Sequence, residues 1–369
     1  MRGLLFLFLF LSLNSYSQTA EEYYKRGLSK SKLNDYKGAI DDYTKAIALN
    51  PEYAKAYNNR GTSKKFIQDY TGAIDDFTKA IAIDPEGSIA YHNRALVKHK
   101  LKDYTGAIDD FTKAIAIDPE FDFAYNFRGL SKSELNDYTG AIADFTKALA
   151  IAPEFADSYY NRGIMKYELK DYTGAIDDYT KAIALNPEYV IAYYNRGNTK
   201  DDLKDYTGAI DDYTKAIELD PKYANAYTNR GISKKNLKDY TGAIDDYTKA
   251  IALDPYDADA YYNRGLAKYY LKDYTGAIDD YTKAIALNPK YANAYTNRGI
   301  SKKNLKDYTG AIDDYTKAIA LDPKYAIAYY NRGNAKYVLQ DLSGACSDWS
   351  KAGELGISTA YDLKKEYCK

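Results

Sequence analysis

The sequence predicts an all-α solenoid of stacked helical hairpins, and three observations carry that prediction. The nine prolines, Pro51 through Pro323, all lie 34 residues apart. On the same period a glycine recurs ten times, from Gly38 to Gly344. Within each period small and apolar residues fall three and four apart, the spacing of one helical face.

The unit from Ala54 to Gly87 shows how each element arises. Tyr57, Gly61, Lys64 and Ile67 form the stripe of a first helix. Asp69 breaks it and is placed to cap a second helix by accepting from exposed backbone amides. Ala73, Phe77, Ala80 and Ile81 form the second stripe. Asp84-Pro85 ends it, because a residue before proline is pushed out of the helical region. Gly61 and Ala73 are small enough to let the two helices approach closely. One such hairpin cannot bury its own faces, so it must stack on its neighbours.

Ten units of 34 residues follow: 20–53, 54–87, 88–121, 122–155, 156–189, 190–223, 224–257, 258–291, 292–325 and 326–359. Residues 360–369 remain as a C-terminal capping helix, which begins near Ser358 and gives the open end a polar surface. The stretch Lys222–Pro255 is identical to Lys290–Pro323. A two-unit block has therefore been copied recently, and recurrence here reports duplication as much as need.

Tyr57, Gly61, Ala73, Phe77 and Pro85, like Tyr193, Gly197, Ala209, Tyr213 and Pro221, match an aromatic–Gly–Ala-x3-aromatic–Pro pattern. On these residues the chain resembles the tetratricopeptide-repeat (TPR) family over almost its whole length. The resemblance implies a right-handed superhelical α-solenoid whose concave groove binds peptides or partner segments. Two departures recur: Arg26, Arg60, Arg94 and successors stand where the family pattern has Leu, and Lys30, Lys64, Lys98 and successors where it has Tyr. An Asp also recurs in every unit, from Asp42 to Asp348. With Gly61 opposite Ala73, Arg60 comes level with Asp76, which predicts a ladder of Arg–Asp pairs. The alternative is that these arginines line a groove for acidic ligands.

Composition sharpens the functional reading. The 369 residues include 43 Tyr but only two His, two Cys and one Trp. Thirty tyrosines occupy four recurring places and read as packing residues. Nine others, among them Tyr24, Tyr160, Tyr194, Tyr262 and Tyr330, follow the packing Tyr of a first helix by one residue or lie seven further on, as do Tyr167, Tyr269 and Tyr337; Tyr270 is adjacent. One and seven residues along a helix share the face turned from its partner. Equivalent sites elsewhere vary: Asn58, His92, Thr228, Lys65, Asp201, Lys303. Exposed tyrosine suits binding hot spots, so Tyr160, Tyr167, Tyr194, Tyr262, Tyr269, Tyr270, Tyr330, Tyr337 and His92 are the expected partner-binding groove.

No residues assemble into a recognisable catalytic set. His92 and His99 are seven apart, about 10.5 Å along one helix and too far to chelate one metal. No Ser/His/Asp set, phosphate loop or Cys-His cluster occurs, so no enzyme and no cofactor is expected. The balance of 51 basic against 52 acidic residues argues against a nucleic-acid partner.

At the N-terminus, Arg2 precedes an apolar run from Leu4 to Leu13, then Ser15 and Ser17. Ten residues are too few to span roughly 30 Å of hydrocarbon as a helix. The pattern reads as a secretory signal over residues 1–17, with a periplasmic or extracellular product that carries no stable membrane insertion. Cys346 and Cys368 flank Gly356 at ten and twelve residues, so antiparallel helices bring them level. In an exported protein that predicts a disulfide. The expected function is a non-enzymatic scaffold that binds a protein or peptide; groove tyrosines stacking on a glycan or cell-wall polymer is the alternative.

Overall fold

The computed structural model describes residues 18–368; the apolar segment expected to direct export lies outside the described residues. Every regular element among the described residues is a helix, and the helices fall into two compact units, one ending at Asp171 and the other starting at Tyr172. The first unit holds α1 (Ala20–Lys32), α2 (Tyr36–Leu49), α3 (Ala54–Phe66), α4 (Tyr70–Ile83), α5 (Ser88–Lys100), α6 (Tyr104–Ile117), α7 (Asp122–Glu134), α8 (Tyr138–Ile151) and α9 (Ala156–Glu168). In the second unit the order continues with α10 (Tyr172–Leu185), α11 (Val190–Asp202), α12 (Tyr206–Leu219), α13 (Ala224–Asn236), α14 (Tyr240–Leu253) and α15 (Ala258–Tyr270). It ends with α16 (Tyr274–Leu287), α17 (Ala292–Asn304), α18 (Tyr308–Leu321), α19 (Ala326–Val338), α20 (Leu342–Glu354) and α21 (Ser358–Tyr367).

Helix boundaries follow from local chemistry. Asp69 accepts from the Gly72 amide at 3.0 Å and starts α4; Asp239 does the same for Gly242 at α14. The glycine leaves room for this cap, since a Cβ on Gly72 would lie 2.3 Å from the capping carboxylate and push it aside. First helices end differently from the glycine-capped norm. A C-cap Leu or Ile is followed by a residue at φ of 61–66°, among them Asn34, Gln68, Lys102 and Lys238. The next amide returns to the last turn, as Asp69 does to the Lys64 carbonyl at 2.9 Å.

Inside a hairpin, Gly61 lies against the Phe77 ring, where a Cβ would come within 2.8 Å of Cε1. Ala73 and Phe77 are fully buried. Within each unit the second helix of a hairpin packs on the first helix of the next, as α2 on α3 and α12 on α13. First helices also touch successive first helices, α1 with α3 and α11 with α13, and so make a common face.

The recurrent charges form a seam between the two helices. Arg60 donates to both carboxylate oxygens of Asp76, at 2.9 and 2.6 Å, and Arg230 to those of Asp246, at 3.0 and 2.6 Å. The ladder predicted from spacing is therefore present, and it has more members than predicted. Lys64 and Lys234, one turn beyond each arginine, reach the same carboxylates at 2.9 and 2.8 Å. Arg230 also donates to Thr214 of the preceding hairpin at 3.0 Å and lies over the Tyr227 ring. Each buried aspartate is thus held by two cations, and the arginine ties three helices together. This arrangement answers the acidic-ligand alternative for these arginines: their guanidinium groups are engaged by the scaffold. At the first hairpin the Arg26 hydrogen bonds, against burial, hold the Asp42 carboxyl down to about 2.

At the C-terminus α21 packs on α20, and Trp349 occupies the aromatic place of the second helix. Cys346 and Cys368 are joined in a disulfide with their Cα atoms 5.8 Å apart.

Candidate partner-binding face

The face made by the first helices is built from two registers. The first holds Tyr24, Asn58, His92, Asn126 and Tyr160 in the first unit, and Tyr194, Thr228, Tyr262, Thr296 and Tyr330 in the second. The second register lies seven residues on, at Ser31, Lys65, His99, Ser133 and Tyr167 in the first unit and Asp201, Lys235, Tyr269, Lys303 and Tyr337 in the second.

Rings at the first register are packing residues. Tyr262 lies between Tyr281 of its own hairpin, at 5.8 Å between centroids, and Tyr291 at the Pro turn of the next, at 4.8 Å. Its hydroxyl accepts from Asn297 at 2.9 Å, and burial raises its pKa. Tyr194 repeats the arrangement with Tyr213, Tyr223 and Asn229, and Tyr24 with Tyr43, Tyr53 and Asn59. The expectation that Tyr194 and Tyr262 stand as free hot-spot rings is therefore corrected. They are half-buried, because each fills the joint between two hairpins. Tyr330 is likewise half-buried, against the Trp349 cluster; Tyr160 and Tyr167 on α9 are half-buried too.

His92 needs a second correction. It is not a surface groove residue but 8% exposed, within a nest of Phe121 (4.7 Å), Phe111 (5.5 Å) and Phe127 (6.1 Å). Burial, aided by the nearby Lys65 charge, pushes its pKa down to about 4, and its Nδ1 finds no hydrogen-bond partner. His99 instead meets Ser131 Oγ at 2.9 Å through Nδ1. The two imidazoles are therefore engaged separately. Among the described residues no group of three His, Cys, Asp or Glu side chains could hold a metal ion.

At the second register Tyr337 is 40% exposed and Tyr269 half-buried; Tyr270, one residue outside that register, is 51% exposed. Tyr270 stacks on Tyr240 at 4.9 Å, so its ring is held in place while one face stays in solvent.

Two features escaped the sequence reading. The first is a row of buried hydroxyls without partners, on Tyr247, Tyr281 and Tyr315. Their counterpart Tyr213 donates to Asn198, fifteen residues earlier, at 2.9 Å. Ile232, Leu266 and Ile300 hold that place in the other three hairpins and offer no acceptor. The second is an open joint between α3 and α5, where Asn58 and Gly87 stand in the places of the two paired rings. A cleft of about 480 Å³ lies there, lined by Tyr24, Ala54, Lys55, Asn58, Ala80 and Gly87 among others.

Comparison with known proteins follows this geometry. Profiles described as tetratricopeptide repeat match residues 20–53, 54–86, 88–121, 156–189, 190–223, 258–291, 212–245 and 280–313. A profile described as TPR repeat matches 129–170, 234–272 and 303–340. Among solved structures, the C-terminal part of a TPR repeat-containing protein from Cytophaga hutchinsonii aligns with a TM-score of 0.57 and 20% identity, over 65% of this chain and 98% of that one. MamA aligns at 0.45 and 30% identity, over 47% of this chain and 95% of that one. YrrB, described as a TPR protein with an unusual peptide-binding site, aligns at 0.45 and 27% identity, over 51% and 97%. No curated protein matches the sequence.

Proposed function

Because the chain belongs to the tetratricopeptide-repeat family, we propose that it is a non-enzymatic scaffold that binds a segment of a partner protein along the face of its first helices. One observation carries this reading. Along that face the side chains change from hairpin to hairpin, through Tyr, Asn, His and Thr at the first register and Lys, His, Asp and Tyr at the second. The Arg–Asp–Lys seam and the capping Asp behind it stay the same. A surface varied on a constant frame is what a solenoid presents to an extended ligand.

Within this reading Tyr270 and Tyr337 are the contact rings, being exposed and held by neighbouring rings. Tyr194, Tyr262 and Tyr330 set the shape of the face. The protein works after export, a setting that fits both the N-terminal apolar run and the Cys346–Cys368 bond. Among the described residues no helix is long and apolar enough to cross a membrane.

The test is affinity capture with the mature chain in extract of the exported compartment, run beside a Tyr270→Ala/Tyr337→Ala variant. The reading expects a protein or peptide to be recovered, with at least a tenfold loss in the variant and unchanged melting. Recovery of polysaccharide alone, surviving protease treatment of the bait, contradicts it.

A further inference from the structure

The joint at Asn58 and Gly87 is a ring site without a ring. In Tyr24–Tyr53, Tyr194–Tyr223, Tyr262–Tyr291 and His92–Phe121, the residue at the first register packs in a tilted pair at 4.7–4.9 Å against an aromatic residue at the next Pro turn. Asn126 lacks a ring, but Phe155 supplies the turn aromatic. In the first unit only the Asn58–Gly87 joint lacks both. Its backbone is nevertheless that of a filled joint: Gly87 has φ −81° and ψ 83°, and Tyr291 has −81° and 78°. The space has stayed open rather than closing, as the 480 Å³ cleft records.

We propose that this cleft receives an aromatic side chain from a partner protein, a tyrosine in particular, which takes the place that Tyr53 or Tyr291 takes elsewhere. The chain itself displays the bound geometry in its filled joints. The floor is apolar, from Ala54, Ala80 and Ala90, and Ile89 stands 59% exposed at the edge. The tip of the ring selects the occupant. At three joints the turn tyrosine donates its hydroxyl to the residue 32 positions earlier: Tyr53 to Glu21, Tyr291 to Asp259 at 2.7 Å, Tyr325 to Asn293 at 2.6 Å; at Tyr223 and Phe121 that place is Ile191 and Ile89. At the open joint that place is Lys55, whose ammonium only donates. An incoming ring with an acceptor at its tip, the phenol oxygen of tyrosine, is therefore favoured over phenylalanine. Asp84 and Glu86 on the rim disfavour a phosphorylated or otherwise anionic ring. This inference rests on the protein-binding reading above and names one of its subsites.

Small probes test it without the partner. Saturation-transfer NMR on the mature full chain is run with N-acetyl-tyrosinamide, N-acetyl-phenylalaninamide and N-acetyl-leucinamide. The tyrosine probe is expected to bind in the millimolar range, several-fold better than phenylalanine and at least tenfold better than leucine. Gly87→Tyr fills the cleft from within and should weaken the tyrosine probe at least tenfold; Asn58→Tyr is a second filling variant if the first perturbs the turn. Lys55→Ala should remove the preference for tyrosine over phenylalanine. Equal binding of the tyrosine probe to wild type and both filled variants overturns the inference, as does equal binding of leucine. Either result leaves the capture experiment to judge the scaffold reading separately.

Discussion

The joint between α15 and α17 and the joint between α3 and α5 share a backbone and differ in what fills them. At the first, Tyr262 and Tyr291 pack as a tilted pair at 4.8 Å, and Asn297 and Asp259 engage their hydroxyls. At the second, Asn58 and Gly87 leave a cleft. Yet Arg60 grips Asp76 as Arg264 grips Asp280, and Asp69 caps α4 as Asp273 caps α16. The comparison separates two jobs: seam and caps fix the hairpin and its stacking, while the ring joint adjusts stability and leaves one face free to vary.

The comparison can be pressed hardest at a joint filled by the wrong ring. His92 has a native pKa near 4 against an ordinary 6.5, because burial disfavours its charged form. Between those values the unfolded chain binds more protons, so stability falls as pH drops from about 6.5 to 4. The expected loss is about 3 kcal/mol for the segment around α5. His92→Phe should abolish that slope, as read by urea unfolding at pH 7 and pH 4.5; an unchanged slope would contradict the assignment.

Breaking the seam comes next. Arg196→Met leaves the buried Asp212 carboxylate with Lys200 alone, at 2.8 Å. The cost should be about 2–3 kcal/mol, below that of a fully stranded charge because the lysine remains. An undiminished melting temperature would show that the pair is dispensable. Emptying a filled joint is expected to cost less: Tyr291→Gly should destabilise by about 2 kcal/mol, since the ring is only half-buried. The smallest effect runs the other way. Tyr247→Phe removes a buried hydroxyl without a partner and should gain about 1 kcal/mol. Phe77, Phe111 and Phe145 already hold that place in the first unit.

Much of this architecture was legible in the sequence because it is local or periodic. The hairpins, the capping Asp and the Arg–Asp pairing all follow from spacings within one 34-residue unit. The lysine that joins each pair lay in plain view, four residues after the arginine, but its target depends on how far a flexible side chain reaches back. The ring joints were hidden because the turn aromatic, such as Tyr291 at the cap of α17, meets the ring of the preceding first helix, Tyr262, only when the next hairpin stacks. His92 was misread for the same reason: its burial comes from Phe121, which closes its own unit, and Phe127 of the next. The turn after each first helix carried no glycine to mark it, since Lys, Asn or Gln holds the positive φ.

The most direct test of the division between seam and joint places two substitutions at the Asn58–Gly87 joint. Arg60→Met cuts the seam beside the cleft, and Gly87→Tyr fills the cleft. Thermal unfolding of the two variants should move in opposite directions, down for Arg60→Met and up for Gly87→Tyr, with helix content unchanged in the second. A fall in both, or no change for Arg60→Met, would contradict the claim that the charged seam holds the fold while the ring joint is free to be left open.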